Sequence, residues 1–388
     1  MFKNLYINNT LFKYAFALIW AVVSGFIISQ KGISGAMGIF ILPVALGYFY
    51  FLFKHPKLGI YTALILGFFL ATLSRYVNKD TPFGLGVDIS LVLTLIATIF
   101  KYWRKSTFKL SKADAVILMA VWMAYVLLEL FNPLARSAEA WFYAMRGIAL
   151  YQFLIILAAF SIFYKRKDFY HFLHLWMALS TAAALWGIKQ KFIGVTATEQ
   201  AWLDAGGAST HILFGKLRIF SFYSDAGTYG VAMGQMAIIC AILVLGKFSM
   251  RRRITYGTGG LLCVYAMIIS GTRGALAVPG IGAVTYLVMI RNTKVFVFGG
   301  TFIFLAFSFL KFTTIANDNY DVKRLRSALN PEDASFNLRM INREKLSRYL
   351  EDKPFGGGIG TTLKWGMRFT PGSWLSNFSP DGLYTMIR

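Results

Sequence analysis

Between Asp225 and Lys247 the chain reads Ala-Gly-Thr-Tyr-Gly-Val-Ala-Met-Gly-Gln-Met-Ala-Ile-Ile-Cys-Ala-Ile-Leu-Val-Leu-Gly, residues 226–246, with no charged side chain in the run. Its length matches the ~20 apolar residues that a helix needs to cross the hydrocarbon of a bilayer. Comparable segments recur on either side, at about 12–29, 33–53, 58–76, 84–100, 113–132, 147–164, 170–189, 255–271, 274–290 and 295–312. The expected fold class is therefore all-α, a polytopic transmembrane helical bundle of eleven spans.

Composition agrees. Of 388 residues, 57% are hydrophobic and 15% charged, with a mean hydropathy of +0.56. A soluble domain carries roughly a quarter charged residues, so a water-soluble enzyme is excluded, and eleven spans leave no room for a second large globular domain. Lys plus Arg outnumber Asp plus Glu by 40 to 17, a formal charge of +23. In a soluble protein that excess would point to nucleic acid; here the basic residues gather in the connectors, and no nucleic acid is expected. Cys240 and Cys263 both fall inside apolar runs, which supports neither a disulfide framework nor a thiolate metal site.

The connectors set the orientation. Lys54 with Lys57, Lys101 to Lys112, Lys165 to Lys167, Lys247 with Arg251 to Arg253, and Arg291 with Lys294 fall on alternate loops. The positive-inside rule makes that side cytoplasmic and puts the amino terminus with it. The outer side receives the external loop 190–225 of a membrane domain spanning 1–312, and a large loop, 313–388, that returns to the membrane. Within that loop 335–352 predicts a helix capped by Ser335, with Leu338, Ile341, Leu346, Tyr349 and Leu350 as its apolar stripe. Pro354 and Gly356 to Gly358 end it, the glycines reading as a chain-reversing turn. The final Tyr384-Thr-Met-Ile387 reads as the entrance to a twelfth helix beyond Arg388.

The outward segments hold most of the side-chain chemistry. They comprise Trp186-Gly-Ile-Lys-Gln190, Glu199 to Trp202, His211 to Ser221 with Arg218, and Tyr223-Ser-Asp-Ala-Gly-Thr-Tyr-Gly230. Farther on come Ser270-Gly-Thr-Arg-Gly-Ala275, Arg339, Pro354-Phe-Gly-Gly-Gly-Ile-Gly360 and Ser379-Pro-Asp381. In their order and common side these pieces resemble the O-antigen ligase and O-antigen polymerase superfamily, over roughly 170–388. The resemblance implies a metal-independent glycosyltransferase of the bacterial inner (cytoplasmic) membrane with a periplasmic active site and no cofactor. Its donor would be a glycan linked to undecaprenyl diphosphate. Its acceptor would be lipid A-core in a ligase, or another carrier-linked glycan in a polymerase. Membrane lipids complete the expected partners.

Such a donor carries an activated diphosphate leaving group, so the protein must hold that anion as charge develops. Arginine suits the task because it stays charged and offers forked donors. Arg218 and Arg273 are the first candidates, with snorkelling to ordinary headgroups as their bland alternative. Arg339 and Arg343, four apart on a helix, share a face and could converge on one anion, or form a solvated basic face. The resemblance favours Arg339, and Arg339 is also a candidate catalytic group. For the base that takes the acceptor proton, superfamily ligases have a histidine near the end of the large loop, where this sequence has Asp381. His211 is the rival base. Asp381 reads equally as a turn residue. Asp225 either orients Arg218 or caps the helix near Ala226. Glu129, inside an apolar run, either reaches water or pairs with Arg136 or Arg146. No zinc or serine-hydrolase motif is present in the sequence. A flippase for lipid-linked sugars and a non-catalytic envelope assembly component are the competing classes. The lack of alike halves and the concentration of polar residues at one face count against the flippase.

Overall fold

The computed structural model describes residues 2–77, 83–102, 113–163, 165–213, 215–290, 292–315, 319–327 and 334–378. It is helical almost throughout. The chain forms α1 (Phe2–Lys54), α2 (Lys57–Tyr76), α3 (Gly84–Tyr102), α4 (Asp114–Leu128) and α5 (Ala138–Met145). A π-helical turn at Arg146–Leu150 leads into α6 (Tyr151–Ile162), followed by α7 (Arg166–Phe192). After these come α8 (Ala197–Trp202), α9 (Ala208–His211), the two-residue strands β1 (Ile212–Leu213) and β2 (Lys216–Leu217), α10 (Ala226–Leu245) and α11 (Met250–Ile269). The chain continues through α12 (Ala277–Met289), α13 (Thr293–Phe312), α14 (Tyr320–Arg326), α15 (Ala334–Leu350) and α16 (Leu363–Phe369).

Among the described residues seven helices are long and apolar enough to cross a membrane: Lys13–Gln30 within α1, α2, α3, Asp114–Phe131, Ala138–Ile162, α10 and α13. In lipid such segments must be helical, because only a helix satisfies every backbone N–H and C=O within itself. Three further expected segments are α7, α11 and α12. The first two are 27 and 20 residues long but begin with charge, Arg166-Lys-Asp168 and Arg251-Arg-Arg253. The one remaining, 33–53, does not fold back on 12–29 as an antiparallel partner. The two segments run as one unbroken helix of 53 residues, about 80 Å long at 1.5 Å per residue. The expected connector, 30–32, offers one glycine as its breaker, and a glycine costs a helix only about 1 kcal/mol. The location of the amino terminus on the basic side assumed that pair and loses its support.

The centre of the bundle is the contact of α10 with α11, and small residues make it close. A methyl group built on Gly260 would lie 2.9 Å from Cys240 Cβ, and one on Gly234 would lie 3.0 Å from Met267 Sδ. Small residues at such positions let helix backbones approach, which is how helices associate where lipid removes the hydrophobic drive. Cys240 and Cys263 lie in this core with Tyr229, Met233, Ala237 and Ala266.

The bundle has two chemically different ends. At one, Lys57 pairs with Asp168 at 2.7 Å, Lys101 Nζ donates to the Lys54 carbonyl, and Phe248 packs edge-on to Tyr170 and Tyr256. The described residues of four of the five basic connectors, those at Lys54, Lys101, Lys165 and Lys247, therefore share that end. At the other end meet the carboxyl ends of α2, α7 and α11 and the amino end of α10, with the loop 193–225 laid across them.

Much of the chain after α13 packs on the bundle. Gly356, Gly358 and Gly360 have φ of 72°, 87° and 85°, the left-handed region that glycine alone enters cheaply. A Cβ on Gly358 would stand 2.9 Å from Ala135 Cα, and one on Gly360 would stand 2.4 Å from the Ala140 carbonyl oxygen. The run is thus a turn, as expected, and also the point where two backbones touch. Ile359 is fully buried beside Val126, Trp141 and Ala149. The helix predicted at 335–352 is α15. The structure describes it from Ala334, and the capping role expected of Ser335 lies outside the described side chains.

Candidate functional site

The loop over the second end is built before any reactive group is placed. Thr196 and Glu199 form a reciprocal capping box at α8. The buried Glu199 also accepts from Trp186 Nε1 at 3.0 Å and from Gln190 Nε2 at 2.8 Å. Gln190 Oε1 accepts the Ser221 N–H at 2.8 Å, and the Ser221 hydroxyl donates to the Ala183 carbonyl at 2.6 Å. Arg75, at the end of α2, donates to the carbonyls of Ser221 and Tyr223 and lies over the rings of Trp202 and Phe220. The Trp186, Gln190 and Glu199 of the distinctive segment are therefore scaffold: they fasten the loop to α7.

On that scaffold β1 and β2 form a tight hairpin whose turn uses Gly215 at φ 71°, and Arg218 follows directly. Its Nη2 donates to Thr272 Oγ1 at 3.0 Å and its Nη1 to the Thr210 carbonyl at 3.3 Å. Its Nε is buried and meets no acceptor among the described residues. Thr272 is held in turn by donating to the Ala226 carbonyl at 2.9 Å. The next residue, Arg273, donates to Ser327 Oγ at 3.3 Å. Ser327 directly follows α14, whose Arg324 Nε donates to the Gly271 carbonyl and whose Nη1 donates to Tyr320 OH at 3.2 Å. Lys216 lies 4.6 Å over the Tyr320 ring, and Lys191 pairs with Asp321.

Three guanidinium groups from three separate stretches of chain thus share one small region. Burial pushes the Arg218 guanidinium below its ordinary pKa, the neighbouring positive charges of Arg324 and Arg273 push the same way, and Asp225 opposes them. Asp225 is only a partial counter-charge because its carboxylate is committed elsewhere. It caps α10, accepting from Thr228 N–H at 2.8 Å, Thr228 hydroxyl at 2.7 Å and Ser224 hydroxyl at 2.8 Å. Burial alone would raise its pKa, but these donors outweigh burial and hold it below the ordinary value. Capping, the commoner of its two expected roles, is the one observed. The result is a cluster of positive charge with forked donors, the chemistry that holds a phosphate-type anion.

No family model, curated protein or solved structure matches the chain.

Of the four expected phosphate contacts, the structure brings Arg218 and Arg273 together. Arg339 and Arg343 stand exposed on α15, which packs through Leu346 and Leu350 on Leu375 and Phe378. Arg324, which joins the cluster, was not singled out in the sequence. It lies in a basic run, Lys323-Arg-Leu-Arg326, and nothing in the spacing distinguishes it from its neighbours. Asp381 lies outside the described residues. His211 is 4% exposed, with Trp202 and Phe220 edge-on to it. Its Nδ1 is 3.0 Å from the Gly207 carbonyl, which can only accept, so Nδ1 carries the proton and Nε2 is the basic atom. Burial, the main influence, pushes its pKa below the usual histidine value. Nε2 is itself buried without a partner among the described residues.

Glu129 does not pair with either expected arginine. It is 3% exposed and accepts from Asn132 Nδ2 at 3.0 Å, while that same nitrogen donates to the Phe355 carbonyl at 2.8 Å. Arg146 pairs instead with Asp88 at 2.5 Å.

Proposed function

We propose that the chain is a membrane glycosyltransferase of the O-antigen ligase type, which moves a glycan from an undecaprenyl diphosphate carrier to a lipid A-core-type acceptor. The observation that carries this reading is the meeting of Arg218, Arg273 and Arg324 at the end of the bundle opposite the basic connectors. By the positive-inside rule that end is exoplasmic, and in a bacterial inner membrane it faces the periplasm. A lipid-borne diphosphate lies at the same interfacial depth as the ends of spanning helices. Arg218 and Arg324 supply fixed, partly desolvated donors there, and desolvation strengthens their hold on an anion.

In the proposed reaction the arginines stabilise the diphosphate as the glycosidic bond to it breaks. The acceptor hydroxyl attacks the sugar carbon, and a base takes its proton. Asp381 is the proposed base, on the resemblance of its position in the large loop. Burial of His211 Nε2 makes that residue the weaker choice, because a base must reach the proton it removes. Arg339 and Arg343, exposed on α15, are proposed to meet the donor from the outer side.

The deciding experiment is the glycolipid profile of a strain deleted for the protein and complemented with wild type or Arg218→Ala. Ligase activity requires loss of capped lipopolysaccharide while long carrier-linked chains accumulate outside. Single repeat units would identify a polymerase of the same superfamily, and carrier-linked glycan trapped inside would identify a flippase. An unchanged profile would remove the proposal.

A further inference from the structure

Arg324 stands on an element that cannot hold itself. α14 has seven residues, and isolated helices shorter than ~12–15 residues are marginal in water, so tertiary contacts must keep Arg324 in place. Leu325 alone of α14 is buried, and the other holds on the helix are polar. Arg326 donates to Thr313 Oγ1 at 3.0 Å and to the Ile315 carbonyl at 2.7 Å, which ties α14 to the end of α13 and not to the site. On the site side, three contacts use the cations themselves: Arg324 on Gly271, Lys216 on Tyr320 and Arg273 on Ser327. One more does not. Asp321, in the first turn of α14, pairs with Lys191, in the last turn of α7.

That ion pair is placed to aim Arg324. Asp321 and Arg324 are three apart, neighbours on one face of a helix, so fixing Asp321 sets the direction of that face. Lys191 is a firm partner, because the adjacent Gln190 fastens α7 to Glu199 and Ser221. The two side chains are only 28% and 18% exposed, so solvent and salt screen the pair less than one standing free on the surface. The pairing has a second consequence. An Asp three residues from an Arg on a helix is a natural partner for it, yet Asp321 is engaged by Lys191, while Arg324 turns to the Gly271 carbonyl and Tyr320 OH. Lys191 thus keeps a carboxylate off a cation that the site needs.

We infer that Asp321 is a positioning residue for anion binding: held by Lys191, it brings Arg324 to the site. The inference rests on the proposal that Arg218, Arg273 and Arg324 hold a diphosphate, and it adds an acidic residue that helps an anion to bind. Charge alone predicts the reverse, since removing a carboxylate near the arginines would tighten their hold on an anion. The sign is therefore the test. Binding of a fluorescent prenyl diphosphate is measured with the whole protein in lipid nanodiscs, with the matching prenyl alcohol as background. Asp321→Asn should weaken binding about fivefold, the upper end for a partly exposed ion pair. Asp321→Glu, which keeps the charge, should bind more tightly than Asp321→Asn. In an Arg324→Ala background Asp321→Asn should cause no further loss, because the residue it positions is gone. Should Asp321→Asn fold poorly, Lys191→Met carries the same test: it should weaken binding only where Arg324 is present. Binding by Asp321→Asn as tight as wild type or tighter, or an equal loss with and without Arg324, would overturn the inference and leave the anion site standing. No binding of the prenyl diphosphate by wild type would overturn both.

Discussion

Arg324 and Arg218 meet across Gly271. Arg324 donates to the Gly271 carbonyl, and a methyl group built on that glycine would lie 3.2 Å from Arg324 Cδ and 3.9 Å from Arg218 Cγ. The glycine sits at φ 59° in the Ser270-Gly-Thr-Arg273 turn, so both the backbone and the space around it select against a side chain. This contact makes one cationic site from residues more than a hundred positions apart.

Gly271→Ala should therefore cost about 1–2 kcal/mol for left-handed backbone strain and shift Arg324. Thermal unfolding should move down, and binding of a fluorescent prenyl diphosphate in nanodiscs should weaken. A variant that unfolds earlier but binds normally would show that Arg324 is not part of the anion site.

Arg218→Lys keeps the charge and discards the fork. Each charge-assisted hydrogen bond is worth roughly 1.5–3 kcal/mol, so diphosphate affinity should fall about tenfold or more, and Arg324→Ala should act similarly. Equal affinity of Arg218→Lys and wild type would mean that only a diffuse field attracts the lipid.

His211 makes stability depend on pH in a definite direction. Its folded pKa is pushed down by burial, below an unfolded value of about 6.5. Above that value both states are neutral and the full stability is present. As pH falls below it the unfolded chain takes up the proton first, and stability drops until the folded pKa is reached, by about 1.4 kcal/mol per unit between the two. Unfolding measured from neutral to mildly acidic pH should show this slope, and His211→Phe should flatten it.

Gly360→Ala tests how the last segment is docked. At φ 85° a Cβ would stand 2.4 Å from the Ala140 carbonyl oxygen, closer than any real contact, so the turn must lift from the Asn132 to Trp141 region. Limited proteolysis should then cut between Pro354 and Phe378 faster than in wild type, while the α10 and α11 core stays protected. Unchanged cleavage would show that the segment is held elsewhere.

Asp225→Ala should lose about 1 kcal/mol as a capping residue is removed. Asp225→Asn keeps an acceptor for the Thr228 N–H and should retain most of that stability. Because Asn removes the negative charge beside Arg218, it should also bind the diphosphate at least as tightly as wild type. Weaker binding by Asp225→Asn would assign Asp225 a direct place in the site.

How much of this was legible in the sequence differs between the fold and the site. Runs such as 226–246 and 295–312 declare themselves because spanning lipid requires about twenty apolar residues whatever the tertiary context. Their helices, α10 and α13, end within a few residues of the expected bounds. Residues 12–53 fail the same reading: two apolar stretches look alike whether they fold back or continue, and only the weakness of the break at Gly32 decides. Trp186, Gln190 and Glu199 belong to the segment on which the resemblance rests, yet a buried carboxylate needs donors whether or not it does chemistry, and here it fastens a loop.

Chain composition and the alternation of basic connectors determined by themselves that this protein is an all-helical membrane bundle with two unlike ends, because the cost of placing charge in hydrocarbon is local and can be counted along the chain. Which arginines share a site was decided only by the tertiary structure. Arg218, Arg273 and Arg324 are joined by a hairpin turn, a glycine without a side chain and the docking of a seven-residue helix. Electrostatic coupling falls with distance in space, and sequence separation does not report that distance.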